Sequence, residues 1–425
     1  MEDNIFRHEL LNGLDALVIE KPNTGLLYLN IVVKVGSGTI YESKADIENA
    51  HFLEHFNAKF TSTLYPKYKD VNSKLEFYGI QSNAHTTYDM TSYWLYGSID
   101  NKDFMMDVLL NSYVNFKADK ELLEKEREAI LNELCRNKID NNRNFIENLL
   151  NLNNFKYEID ERIENTKKIT LEKLLEFRNK YYVPNNTKII LIGDINHIQI
   201  FNYLDNFFKK NEVNNKTIKL LEYKNPEIKN KIIFNKRMDL NNTLLKISFK
   251  INIDKFSLNK YILDYIILIL KQRLYRYLRY DGGKVYNVNV TDIEYTNETT
   301  FIVISTEFRK KENAKEILEI IYNQINRINN QDISESRYVK ALNFIKVLYL
   351  NNNLNNNLQL INNTYVDEFT NNKQLINRKD NLNNYMNINL NNIKDLGKNL
   401  FNYNNMVIGH YGIHNFTEII KSIFK

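Results

Sequence analysis

The sequence predicts an α+β chain built of two similar halves, and three observations lead there. At 425 residues the chain exceeds what one core comfortably organises, so two or three domains are expected. Each half mixes β-branched, strand-like runs with charged, helix-forming stretches. Each half also closes on a short apolar run containing glycine, K-I-I-L-I-G-D-I at 188–195 and N-M-V-I-G-H-Y-G at 405–412, which is an echo of internal duplication.

Taken in order, L-Y-L-N-I-V-V-K-V-G-S-G (27–38) is apolar, β-branched and ends in a glycine pair, so a strand is expected. The stretch A-D-I-E-N-A-H-F-L-E-H-F then turns helical, with Asp46 near its start and Ile47, Phe52 and Phe56 within reach of one face. A strand is expected over T-S-Y-W-L-Y-G-S (91–98), a long charged helix over 118–138, and a buried strand over 188–195. The polar segment 209–219 has few large apolar residues and no clear period, and 209–224 is taken as the linker between domains 1–208 and 225–425. Beyond it, K-I-I-F-N-K and L-L-K-I-S-F-K-I read as strands, and 260–280 and 335–350 as helices. The Asn-rich tract 351–363 keeps leucines at 354, 358 and 360, a partly helical spacing, and is expected to be a helix.

Composition narrows the function. A hydrophobic fraction of 43% supplies packed cores, and 12 Gly with 4 Pro argue for long regular elements. The formal charge of +5 is mild, and no basic block with interleaved aromatics suggests nucleic acid. The longest apolar run, Y-I-L-D-Y-I-I-L-I-L, is too short to span a bilayer and carries Asp264, so no membrane partner is expected. A single cysteine, Cys135, precludes an intrachain disulfide, and the N-terminus has neither a basic n-region nor an apolar h-region; a cytoplasmic protein is the expectation.

The chemistry concentrates in His51-Phe-Leu-Glu54-His55. Residues four apart share a helix face, so both imidazoles can point at one ion, while Glu54 lies beside it without being forced to ligate. Metal-assisted hydrolysis needs that set: two neutral nitrogen ligands and a carboxylate to take a proton from water. With 7 His in the chain, roughly 0.01 chance matches to this pattern are expected, so two incidental helix histidines are the weaker reading. A third ligand must come from elsewhere. The helix at 118–138 offers Glu121, Glu124, Glu126, Glu128 and Glu133, and composition does not choose among them. Of the other histidines, His8, His197, His410 and His414 have no partner pattern and are read as structural or surface residues.

The motif, followed by Glu126-Arg127-Glu128-Ala-Ile-Leu-Asn-Glu133, resembles the pitrilysin/insulinase family of zinc peptidases, the inverzincins that include the mitochondrial processing peptidase. In that family the distal ligand lies about eighty residues beyond the first histidine, seven past the start of an E-R run; here Glu133 lies 82 beyond His51 and seven beyond Glu126. The resemblance implies one Zn²⁺ per chain on His51, His55 and Glu133, with Glu54 as general base and Glu126 orienting a histidine ligand. Asn83-Ala84-His85-Thr86, then Thr91-Ser-Tyr93, resembles the family's edge strand, to which a peptide substrate adds by backbone pairing. Arg279 and Tyr286 resemble its substrate-stabilising Arg/Tyr pair, carried by the second domain. Tyr181-Tyr182-Val-Pro184-Asn185-Asn186 with Ile192-Gly193-Asp194 resembles the strand closing the first domain. Two departures stand out: Glu48-Asn49 replace the glycine often found before the motif helix, and the stretch through Y-E-I-D-E-R-I-E-N-T is short and lacks an expected glycine.

The fold so implied is two similar domains, each a mainly antiparallel sheet with helices packed on one face. The activity implied is zinc endopeptidase action on short unfolded peptides, inside a chamber formed by two half-size, processing-peptidase-like chains. The partner is a second copy, or a related zinc-free subunit in a leader-removing heterodimer. A non-catalytic subunit is the rival; such members typically lose ligands or the base, and here every expected group is present.

Overall fold

The computed structural model describes residues 4–211, 213, 215–222, 231–296, 298–351, 357–371 and 378–424. Two sheets organise the chain, one in each of two compact units.

The first unit holds strands β1 (Asn4–Glu9), β2 (Asp15–Glu20), β3 (Leu26–Val33), β4 (Gln81–Thr86), β5 (Thr91–Ser98) and β6 (Thr187–Gly193). They form one sheet in the order β1-β2-β6-β3-β5-β4, antiparallel except where β6 runs parallel to β2. Helices α1 (Asn49–Asn57), α2 (Tyr68–Phe77), α3 (Lys102–Val114) and α4 (Lys120–Ile139) precede α5 (Asn141–Leu152), followed by α6 (Ile159–Thr166), α7 (Leu171–Tyr181) and α8 (His197–Lys210). The central strand β3 shows why the sheet forms. Leu27, Leu29, Ile31 and Val33 face the core shared with Phe52 and Phe56 of α1 and Ile130 and Leu134 of α4. The alternate residues Tyr28 and Val32 join Leu17, Ile19, Ile190 and Ile192 on the opposite face. A strand buried on both faces needs this near-continuous apolar run.

That opposite face is covered by a helix from far along the chain, Leu358–Asn371, through Leu358, Ile361 and Val366. A short polar chain is buried with it: the Asn30 side-chain amide donates to Asn362 at 2.9 Å, and Ser92 Oγ donates to Asn30 at 2.7 Å. The expected helix of the Asn-rich tract is therefore present from Leu358 onward, while residues 352–356 of that tract lie outside the described residues. The compact units are discontinuous in sequence: Asn353–Leu375 groups with the first, and Asn141–Leu152, which is α5, with the second. Of the expected linker 209–224, residues 209 and 210 close α8, and 212, 214, 223 and 224 lie outside the described residues.

The second unit repeats the pattern. Strands β7 (Lys231–Lys236), β8 (Thr243–Asn252), β9 (Val288–Glu294), β10 (Thr299–Phe308) and β11 (Met406–Gly412) take the order β7-β11-β8-β10-β9. Again the last strand in sequence inserts between two others, parallel to one neighbour and antiparallel to the other. The echo between 188–195 and 405–412 corresponds to β6 and β11, which occupy equivalent places. Gly193 ends β6 because a Cβ there would lie 2.1 Å from the carbonyl oxygen of Leu26. The expected helix 260–280 is α9 (Leu258–Leu274), extended by a wider π-type turn over Tyr275–Tyr280. Among the described residues, no helix is long and apolar enough to cross a membrane.

Candidate metal centre

Helix α1 begins later than the sequence suggests. Glu48 takes a left-handed conformation with φ 72°, so the helix starts at Asn49 and Asp46 lies in the preceding turn. No side chain of Glu48 caps it; instead the buried Glu42 carboxylate accepts the backbone N–H groups of Glu48 at 3.1 Å and Ala50 at 2.9 Å. Carboxyl oxygens at a helix N-terminus satisfy its orphan donors, while burial and the neighbouring Glu48 push the Glu42 carboxyl up to about 8. Phe52, Leu53 and Phe56 then enter the core, which leaves His51, Glu54 and His55 half-buried on the other side.

Helix α4 meets that side. Its N-cap Asp119 accepts from Leu122 N–H at 2.8 Å, and its buried stripe runs Leu123, Glu126, Ile130, Leu134 and Asn137. Glu126 is thus a carboxylate at a core position, and Glu133 lies two turns further on. Glu121, Glu124 and Glu128, equally eligible from composition, are solvent-exposed. Arg127 ties α4 to the end of α6, donating to the carbonyls of Thr166 at 2.5 Å and Ile169 at 2.8 Å.

The result is a converging donor set. Glu133 Oε2 lies 3.6 Å from His51 Nε2 and 3.8 Å from His55 Nε2, and the three donor atoms fall within 4.8 Å of one another. Ligands bound to zinc at 2.0–2.1 Å in a tetrahedral arrangement are separated by about 3.4 Å. The donor types and spacings therefore fit a zinc ion. The opposite ring nitrogens are each engaged by a carboxylate. His51 Nδ1 is 2.8 Å from Glu48 Oε2, and His55 Nδ1 is 3.2 Å from Glu126 Oε2. A carboxylate accepting from Nδ1–H leaves the Nε2 lone pair for the metal. Glu126 is held in turn by Lys59, 3.1 Å from its Oε1. Glu48 is held by Arg162 of α6, whose Nε donates to Oε1, both side chains being buried.

Sequence reasoning assigned no role at the site to Glu48, Arg162, Lys59 or Glu42. Glu48 carried a signal, as a carboxylate three residues before His51 where a glycine is usual. Arg162 lies in the departing stretch Y-E-I-D-E-R-I-E-N-T, but nothing there pointed to a partner 114 residues away. A left-handed non-glycine residue costs roughly 1–3 kcal/mol, so its retention calls for a reason.

Burial disfavours a proton on His51, but hydrogen bonds to Glu133 and Glu48 outweigh it and push the metal-free imidazole from 6.5 up to about 10. His55 moves up as well, against burial, through Glu126 and Glu133. The two histidines hold Glu133 well below the usual carboxylate range. A raised histidine stabilises the fold fully below its unfolded value and loses that contribution as pH rises through the folded one. The metal-free protein is therefore expected to lose this stabilisation between pH 6.5 and about 10. Zinc requires neutral imidazoles, so its affinity is expected to rise over the same window, about tenfold per pH unit for each proton displaced. Chelator competition at several pH values checks this; a flat profile contradicts it.

The remaining expected residues fall in two places. Among the described residues β4 ends its sheet and pairs only with β5, with Ala84 opposite Tyr93 and His85 opposite Ser92. Asn83 and His85 are exposed and Ala84 is buried; Asn83 Oδ1 accepts from the Ala84 N–H at 2.9 Å. In the second unit Arg279 sits on the π-type turn, with its guanidinium 5.0 Å from the centroid of the Tyr286 ring, and both residues are exposed. The histidines read as structural lie away from the donor set. His8 bonds Asp205 at 2.9 Å, His197 bonds Glu20 at 2.8 Å, and His410 is buried in β11 against Phe234; His414 packs near Phe416.

The chain resembles known proteins along most of its length. A family model described as insulinase (peptidase family M16) matches residues 17–167, and one described as peptidase M16 inactive domain matches 168–344. An uncharacterized zinc protease of Rickettsia felis is 24% identical over 335 residues, 76% of this chain and 77% of that protein. Zinc protease PqqE of Helicobacter pylori is 28% identical over 46% of this chain and 45% of its own length. The mitochondrial-processing peptidase subunit beta of Dictyostelium discoideum is 30% identical over 40% and 37%. The latter two matches thus span less than half of those proteins. A crystal structure of a protease from Helicobacter pylori superposes with a TM-score of 0.82 at 17% identity, covering 96% of this chain and 99% of that one, a likeness of fold.

Proposed function

Because this chain belongs to the insulinase family, peptidase family M16, we propose that it is a zinc-dependent endopeptidase acting on short unfolded peptides. The observation that carries the reading is the convergence of His51 Nε2, His55 Nε2 and Glu133 Oε2, with Glu54 on the same helix side. When bound, zinc would supply Lewis acidity, lowering the pKa of a coordinated water towards neutrality and polarising the scissile carbonyl. The chain's own residues do the rest. Glu54 takes the water proton and passes it to the leaving amine. Glu126 and Lys59 keep the His55 ring oriented. The β4 edge takes the peptide as an added strand, the Ala84 N–H exchanging its Asn83 partner for a substrate carbonyl.

Arg279 and Tyr286 are proposed to hold the substrate backbone near the scissile bond. Stacking of the guanidinium on the ring supports their acting as a unit. Arg279→Ala is expected to lower kcat/KM by about 10- to 100-fold with zinc content unchanged, and Tyr286→Phe in the same background to add little, since residues acting as a unit are not additive. Full additivity in steady-state kinetics would separate the two roles.

Pairing with a second half-size chain around a chamber is part of the proposal, as a homodimer or with a related zinc-free subunit. A relative that is itself named a subunit supports it. A cytoplasmic location is inferred, supported by the lone cysteine. The test is zinc content by elemental analysis beside hydrolysis of a quenched unstructured peptide. Near-stoichiometric zinc with cleavage is expected. Zinc without cleavage by the isolated chain favours the heterodimer, and absence of zinc from protein supplied with metal overturns the enzyme.

A further inference from the structure

We propose that Glu48, gripped by Arg162, is a positioning residue that sets the zinc affinity of the site by fixing the His51 ring. The inference rests on the zinc site proposed above and assigns to it a device of this chain's own.

The two carboxylate oxygens of Glu48 have separate tasks. Oε2 meets His51 Nδ1 at 2.8 Å, and Oε1 accepts from Arg162 Nε. The other nitrogen of the same ring is the one that faces Glu133 at 3.6 Å. Glu48 is only 1% exposed and Arg162 5%, so the carboxylate is buried as an ion pair. Burying two charges costs desolvation that their attraction seldom repays in stability. The left-handed backbone at Glu48 adds strain in the same place. Both costs converge on one contact, the His51 ring, and a carboxylate behind a ligating histidine fixes its tautomer and orientation and raises its donor strength.

The two departures noted in the sequence are also partners. Glu48 stands where a glycine is usual before the motif helix, and Arg162 lies in the short Y-E-I-D-E-R-I-E-N-T stretch. A glycine at 48 would have no side chain to offer His51, and Arg162 would then have no carboxylate there to grip. The arginine is presented by α6, whose end is tied to α4 by Arg127, so the clamp is anchored to the helix that carries Glu133. His55 has its equivalent support in Glu126. With Glu48 in place, each histidine of the donor set is backed by a carboxylate from a different element.

The test uses the full chain stripped of metal: wild type, Glu48→Gln, Glu48→Gly, Arg162→Gln, and the double variant Glu48→Gly with Arg162→Gln. Zinc affinity is read by competition with a chromogenic chelator. The visible absorption of the cobalt(II)-substituted protein reads ligand geometry, and circular dichroism melting verifies folding. Glu48→Gly is expected to weaken zinc binding about 10- to 100-fold and to alter the cobalt bands. Glu48→Gln, which keeps an acceptor but no charge, is expected to fall between it and wild type, and it carries the test should the glycine variant not fold. Arg162→Gln is expected to weaken binding alone yet add nothing in the Glu48→Gly background, because it acts through Glu48. Folded Glu48 variants that bind zinc within about twofold of wild type, with unchanged cobalt bands, overturn the proposal. So does an Arg162→Gln effect that persists undiminished without Glu48. Wild type that fails to bind zinc sinks the zinc site itself, a result distinct from these.

Discussion

Replacing Glu54 by Gln is expected to lower kcat for peptide hydrolysis by about 10³-fold or more while zinc content stays near wild type, the upper part of the range for loss of a positioned general base. The substitution keeps volume and shape, so α1 and its packing through Phe52, Leu53 and Phe56 are undisturbed. What disappears is a carboxylate able to accept a proton from water and return it to the leaving amine. Among the described residues no hydrogen bond or ion pair engages the Glu54 carboxylate, whereas Glu48, Glu126 and Glu133 are each committed to a histidine. Glu54 is therefore the acidic group of α1 available for chemistry. Its charge also favours a cation nearby, so a few-fold weakening of zinc binding would accompany the change without emptying the site. The measurement is single-turnover hydrolysis of a quenched peptide on protein of verified zinc content. Retained cleavage in a zinc-loaded Glu54→Gln protein removes Glu54 from the reaction.

Replacing Glu133 by Gln is expected to act on the metal itself. The donor set falls from two imidazoles and a carboxylate to two imidazoles and a weak neutral amide. The loss of zinc affinity should exceed the 10–100-fold typical of an outer residue and reach about 10³-fold or more. A second readout needs no metal. Glu133 is the largest of the influences that raise the His51 imidazole against the effect of burial, so His51 in Glu133→Gln should titrate well below its wild-type value of about 10. The sign follows from linkage: with less upward shift, less stability is lost as the metal-free protein passes from pH 6.5 upward. Histidine NMR titration and chelator competition report the two effects separately. Unchanged zinc affinity would send the third ligand elsewhere, and unchanged His51 titration would contradict the geometry at 3.6 Å.

Local periodicity is what made the sequence legible. Residues four apart on α1 share a face whatever surrounds them, so His51 and His55 declare a possible metal pair from spacing alone. Short strand-like runs of aromatic and apolar residues marked Thr91–Ser98 and Lys231–Lys236 to the residue. The echo between β6 and β11 disclosed a repeated topology. In each case the signal lies within one element and one or two turns or pleats, the range over which backbone geometry dictates which side chains are neighbours.

What lies beyond that range was settled by packing. Five glutamates on α4 were equal on composition, and the family resemblance singled out Glu126 and Glu133; the physical difference arises where α4 meets α1, which buries Glu126, brings Glu133 to two imidazoles and leaves Glu121, Glu124 and Glu128 in solvent. The start of α1 moved to Asn49 because Glu48 adopts a left-handed turn to place its carboxylate, an outcome of tertiary contact with Arg162 that no helix-start rule contains. The grouping of the helix Leu358–Asn371 with the first unit likewise follows from the sheet face its apolar residues cover, and α5 joins the second where Phe145 packs on Gly409 of β11. A side chain's type and period are local properties, fixed by the chain. Its partner across 114 residues depends on the sum of many burial and hydrogen-bonding terms, and only the folded molecule evaluates that sum.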